Sequence, residues 1–229
     1  MTSGTNRPSS GRCVLHLFAK STPTADRKGV VSAVRRFQES EDQQIVSVAT
    51  LGHKADVCLM ALGPDLWDLR GFQTEIAAAG LEVVDSYVSL TEVSEYAAGM
   101  PEEMKQARLY PNLPPDGLSA FCFYPMSKRR NPDQNWYGLD FEERKRLMTA
   151  HGAVGREFRG RVVQLVTGST GLDDFEWGVT LFGKNPDDLK DVVYTMRFDE
   201  TTVNYSEFGY FVTGTIADIE DVLDVVGLY

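Results

Sequence analysis

The chain is poor in histidine and cysteine, with three of each in 229 residues. It contains no Cys-x-x-Cys pair and no Cys/His spacing of the kind that holds a structural metal. Cys13, Cys58 and Cys122 are odd in number and lie in apolar, strand-like runs, which excludes a disulfide framework and points to a reducing, cytoplasmic compartment. No apolar run is long enough to span a bilayer. The first residues, MTSGTNRPSSGR, lack the apolar centre of a signal peptide and read as a disordered arm over 1–12. Positive charge is also scarce: the formal net charge is −10, which argues against nucleic acid as a partner. The scarcity is uneven. Residues 105–161 carry a local balance of +5, against −15 for the remainder, as suits a protein holding a small anionic ligand or, equally, one with a solvated, ion-paired helix face.

Hydrophobic periodicity supplies the elements. "CVLHLFA" reads as a buried strand, 24–39 as a helix, "IVSVATLG" and "ADVCLMALG" as strands, 64–80 as a helix opened by Pro64 and closed by Gly80, and "LEVVDSYVSLTEV" as a strand. This β-α-β-β-α-β order is that of a ferredoxin-like lobe over 13–96. Residues 97–117 hold Pro101, Pro111, Pro114 and Pro115 and read as an extended connector. The order then recurs over 118–229, ending in a tail helix. The expected fold is therefore α+β, with two ferredoxin-like lobes joining their antiparallel sheets, as in a dimeric α/β-barrel.

Three stretches could carry chemistry. His151, at the end of "DFEERKRLMTAHG", is open to three readings: a packed residue, a helix-end cation stabilised by the helix dipole, or an axial iron ligand. In "FYPMSKRR", strand alternation would put Tyr124, Met126 and Lys128 on one face, an oxidisable phenol beside an ammonium able to grip a carboxylate. Pro125 suits a strand end rather than a central position. Gln164, alone among the valines of "GRVVQLVTGS", is either an edge polar residue or a neutral group over a pocket.

The motifs "FYPMSKRR", "NWY", "HGAVGREFRG", "VVQLVTGS", "DDFEWGVTLFGKNPDDLK", "YTMRFDE" and "YSEFG" resemble, densely and in order over 105–214, the chlorite dismutase superfamily, and within it the coproheme decarboxylase branch. The resemblance implies a hydrogen peroxide-dependent enzyme. It would turn two propionates of iron coproporphyrin III into vinyl groups, giving haem b. The alternatives are a chlorite dismutase-like haem peroxidase and a non-catalytic haem-transfer protein. It makes His151 the axial iron ligand, Tyr124 the redox-active residue and Lys128 a propionate-holding residue that assists the second decarboxylation. Arg108, Met126, Gln164 and Thr202 become substrate-binding residues, with Glu200 a candidate partner of His151. It further implies a cytoplasmic homopentamer in transient contact with a ferrochelatase or haem acceptor. Where chlorite dismutases place a distal arginine, this chain has Gln164.

Overall fold

The computed structural model describes residues 5–97 and 99–229. The first lobe runs β1 (Cys13–Lys20), α1 (Arg27–Phe37), β2 (Gln44–Leu51), β3 (Val57–Gly63), α2 (Leu66–Ala78) and β4 (Glu82–Thr91). A helix, α3 (Glu102–Leu109), follows. The second lobe is β5 (Ala120–Lys128), a small hairpin of β6 (Arg130–Asn131) and β7 (Gln134–Asn135), α4 (Phe141–Arg156), β8 (Val162–Gly168), β9 (Trp177–Gly183), α5 (Pro186–Met196), α6 (Glu200–Tyr205), β10 (Ser206–Phe208), β11 (Val212–Ile216) and α7 (Ile219–Val225).

The expected two-lobe α+β architecture is present, and the sheets join on both sides. β2 pairs with β11 and β4 pairs with β8, while β5 pairs with both β9 and β11. The ring β5-β11-β2-β3-β1-β4-β8-β9 thus closes into an antiparallel barrel, which removes the unpaired edges that each lobe would otherwise expose.

Alternation sorts the side chains into three cores. Inward residues Val14, Phe18, Met60, Tyr87, Phe121, Phe123 and Phe182 fill the barrel. Outward residues of the first lobe, among them Leu15 and Leu17, are covered by α1, α2 and α7. On the second lobe, Cys122, Tyr124, Val179 and Leu181 face outward toward Leu189 and Val192 of α5. Burial of these apolar faces is the main stabilising contribution. Among the described residues no helix is long and apolar enough to cross a membrane.

Three expectations need correction. Residues 1–4 of the expected disordered arm lie outside the described residues, but the rest of the arm is tied down. The Asn6 amide donates to Asp65 (3.1 Å), Arg12 N donates to Thr91 Oγ1 (2.7 Å) and Gly11 N donates to the Tyr110 hydroxyl (3.2 Å). The connector is not extended throughout. Its prolines flank eight good helix formers, with Glu102 and Glu103 in the first turn and Arg108 in the last, and these form α3. Pro125 lies inside β5. Its carbonyl accepts from Gly209 N (2.8 Å), so its missing N–H faces the interruption between β10 and β11, where no ladder bond is lost.

Candidate functional site

The site gathers on the outward face of β5, β9 and β8 and on the helices before it. α4 is capped by Asp140, whose side chain accepts from Glu143 N (2.9 Å). It continues through Gly152 and Gly155 to Arg156, so His151 lies within the helix and not at its end. Of its sixteen residues only Leu147 is buried. α4 packs on α5, on α6 and on the short turn at Glu95–Ala97. The strand face of this lobe remains partly open at Met126 and exposed at Gln164 and Val166.

His151 Nδ1 lies 2.8 Å from Asp199 Oδ2, and that carboxylate is buried. The carboxylate accepts the Nδ1 proton, which leaves the Nε2 lone pair available, and Nε2 has no protein partner among the described residues. Burial lowers the His151 pKa, the Asp199 hydrogen bond and charge oppose that, and the Lys128 ammonium adds to the lowering. The imidazole is therefore a neutral, oriented base at neutral pH. Asp199 is also the N-cap of α6, accepting from Thr202 N (3.1 Å) and from the Thr202 hydroxyl (3.3 Å). Glu200, one candidate partner of His151, instead accepts from Arg146 (3.2 Å). A residue in the first turn of α6 points outward where its N-cap turns back toward α4.

Lys128 is buried at 7% exposure, and no carboxylate lies within ion-pair distance among the described residues. Its Nζ donates one long hydrogen bond to Ser206 Oγ (3.4 Å) and lies 4.4 Å from the centre of the Trp136 ring. Burial lowers its pKa to about 8, against the opposing fields of Asp199 and Glu176. An ammonium has three donors and this one spends a single weak bond, so the site favours an incoming anion.

Tyr124 is buried, stacked on Phe211 at 4.7 Å between centroids and packed on Phe208 at 5.6 Å. Its hydroxyl makes no hydrogen bond among the described residues. Burial raises its pKa, Cys122 adds to the rise and Arg197 opposes it, so the phenol keeps its proton. Met126 follows on the same face, as alternation requires. Register places Gln164 beside Leu181 and Cys122, on the face that carries Tyr124.

The structure thus brings together His151, Lys128 and Thr202, and sets Tyr124, Met126 and Gln164 on the adjoining face. Arg108 is exposed in the last turn of α3, and no hydrogen bond or ion pair joins it to them among the described residues. Sequence reasoning missed Asp199, Trp136, Ser206 and Arg197. Arg197 stacks on Phe208 at 4.0 Å and forms no ion pair among the described residues. The signals are faint: an Asp opening a six-residue helix, and residues inside recognisable motifs whose roles only the folded geometry reveals. Elsewhere, a hollow lined by Asp85, Asp173, Asp174, Tyr87 and Tyr210 has the wrong charge for a polyanionic ligand.

Curated relatives match the chain over nearly their whole length. The chain is 41% identical over 225 residues to the coproheme decarboxylase of Staphylococcus saprophyticus, covering 90% of this chain and 89% of the relative. It is 46% identical over 230 residues to that of Staphylococcus carnosus, covering 88% and 90%. Among solved structures, a haem-binding protein from Thermus thermophilus superposes with a TM-score of 0.85 at 35% identity, covering 98% of each chain. A variant chlorite dismutase from Candidatus Nitrospira defluvii shares the fold, with a TM-score of 0.77 at 22% identity over 96% of this chain and 97% of that one. The chlorite dismutase family model matches residues 26–217, and the chain belongs to that family.

Proposed function

We propose that the protein is a coproheme decarboxylase, converting two propionates of iron coproporphyrin III to vinyl groups with hydrogen peroxide and releasing haem b. The observation that carries this reading is the pairing of an imidazole held by Asp199, with Nε2 open, and a buried ammonium that lacks a carboxylate. Together they fit an iron centre that carries carboxylates at its edge. The porphyrin substrate supplies the redox chemistry.

The chain's residues do the rest. His151 Nε2 takes the iron, and Asp199 holds the ring at the correct angle. Lys128 and Arg197 supply positive charge for propionates, and Met126 lies against the porphyrin edge. Arg108 would join only if α3 approaches the ligand. Thr202, expected to hold a propionate, spends its hydroxyl on Asp199 and so serves the substrate through His151. Tyr124 gives up its phenolic hydrogen atom to the oxidant and recovers one from the propionate β-carbon. Loss of carbon dioxide and a second electron then leaves the vinyl group. Each propionate consumes one hydrogen peroxide and one proton, and yields one carbon dioxide and two waters. Gln164 offers a neutral amide where a guanidinium would grip chlorite, which disfavours chlorite chemistry.

A cytoplasmic setting accords with three buried free thiols. A homopentamer, and a transient contact with a ferrochelatase or haem acceptor, complete the proposal by likeness to the family. The test is anaerobic mixing with ferric coproheme, titration with peroxide and mass analysis of the porphyrin. Haem b is the expected product. An unchanged tetrapropionate, or oxygen release from chlorite at rates typical of a chlorite dismutase, overturns the reading.

A further inference from the structure

We propose that Ser206 is the positioning residue that aims the Lys128 ammonium at a substrate carboxylate. The inference rests on the proposed function. Ser206 and Lys128 are register partners across the β10–β5 ladder, so their side chains leave the sheet on the same face. Ser206 Oγ accepts from Lys128 Nζ (3.4 Å) and itself donates to the Thr201 carbonyl (3.4 Å). That second bond orients the hydroxyl, so its lone pair meets the ammonium.

The placement of Ser206 is itself fixed. It is the C-cap of α6, and its N–H donates to the Thr202 carbonyl. The Arg129 guanidinium donates to the carbonyls of Val203 (3.2 Å) and Asn204 (3.5 Å), holding the end of the same helix. The Trp136 ring backs the ammonium at 4.4 Å. The Thr201 hydroxyl is fully buried without a partner. A buried ammonium on a flexible four-carbon stem has many rotamers. One hydroxyl and one ring face select among them and leave two N–H donors unspent.

The experiment is a double-mutant cycle on the full-length protein, read as fluorescence quenching on binding iron-free coproporphyrin III. This ligand keeps the four carboxylates and removes the iron–His151 bond. Ser206→Ala should weaken binding about tenfold, the weak end of what a hydrogen bond to a charged group contributes. Ser206→Thr, which keeps the hydroxyl, should restore it. In a Lys128→Met background Ser206→Ala should have no further effect, because Ser206 acts only through the ammonium. Circular dichroism checks that each variant is folded. Equal weakening in both backgrounds overturns the proposal, as does no weakening in either or binding by Lys128→Met at wild-type strength. Conversion of ferric coproheme by the wild-type protein is a separate readout. Its failure removes the decarboxylase reading while the binding cycle still reports on Ser206.

Discussion

Replacing Lys128 by methionine should make the ligand-free protein more stable while removing the charge proposed to hold a substrate carboxylate. The ammonium is buried, and its pKa falls from the ordinary 10.5 to about 8. That difference corresponds to about 3 kcal/mol of penalty for the charged form in the fold. Methionine is close in shape and carries no charge, but it forfeits the attraction to Trp136, worth about 1 kcal/mol. The net expectation is a gain of about 2 kcal/mol at pH 7, or roughly 4–8 °C in the melting midpoint for a chain of this size. The folded pKa lies below the unfolded one, so the penalty is fully present below pH 8. It is relieved as pH rises from 8 toward 10.5, where folded Lys128 sheds its proton and the unfolded chain still holds it. Urea denaturation of both proteins at pH 7 and at pH 10.5 measures the gap, and other groups titrating at high pH cancel in the difference. The variant should lead at pH 7 and the gap should close at pH 10.5. A variant that is less stable at pH 7, or a gap independent of pH, would refute the reasoning.

Further outcomes follow from the same geometry. Tyr124→Phe removes one oxygen from a packed ring. Coproheme should still bind and peroxide should still alter its absorption, but mass analysis should find no haem b; normal product would place the hydrogen-atom transfer on another residue. Asp199→Ala removes the α6 N-cap at a cost of about 1–2 kcal/mol and frees the His151 ring, so coproheme binding should weaken and its Soret band should shift. An unchanged spectrum would show that Asp199 does not orient the ligand. His16 is neutral inside the barrel, its Nε2 3.0 Å from Thr180 Oγ1 and its pKa lowered by burial to about 3. The unfolded chain binds this proton below pH 6.5, so stability should fall as pH drops from 6.5 toward 3, and His16→Gln should flatten that slope in acid denaturation.

Periodicity makes most of the fold legible. The run 120–128 shows why. Spacing alone puts Tyr124, Met126 and Lys128 on one face; the fold adds that this face lies outside the barrel, with Phe121 and Phe123 inside it. Pro125 misleads because sequence shows the missing donor, not the strand break opposite it that makes the loss harmless. α3 is legible in principle, since its acidic start and basic end sit between prolines, but the proline density around it masks the helix. Asp199 is beyond reach for another reason. Forty-eight residues separate it from His151, and only the capping geometry of α6 decides that Asp199, rather than Glu200, turns inward.

α6 is a ruler. Asp199 at one end fixes the imidazole and Ser206 at the other meets the ammonium, seven residues and about 10 Å of helix rise apart. In the proposed reading, this short helix links the group that takes the iron to the group that takes a carboxylate. Inserting one residue there would leave every functional side chain in the sequence. It would lengthen the span by about 1.5 Å and swing the far end through about 100°. In the proposed reading such an insertion would pull the hydroxyl of Ser206 away from the Lys128 ammonium while Asp199 still held His151, and so disturb ligand placement without removing a single contact residue.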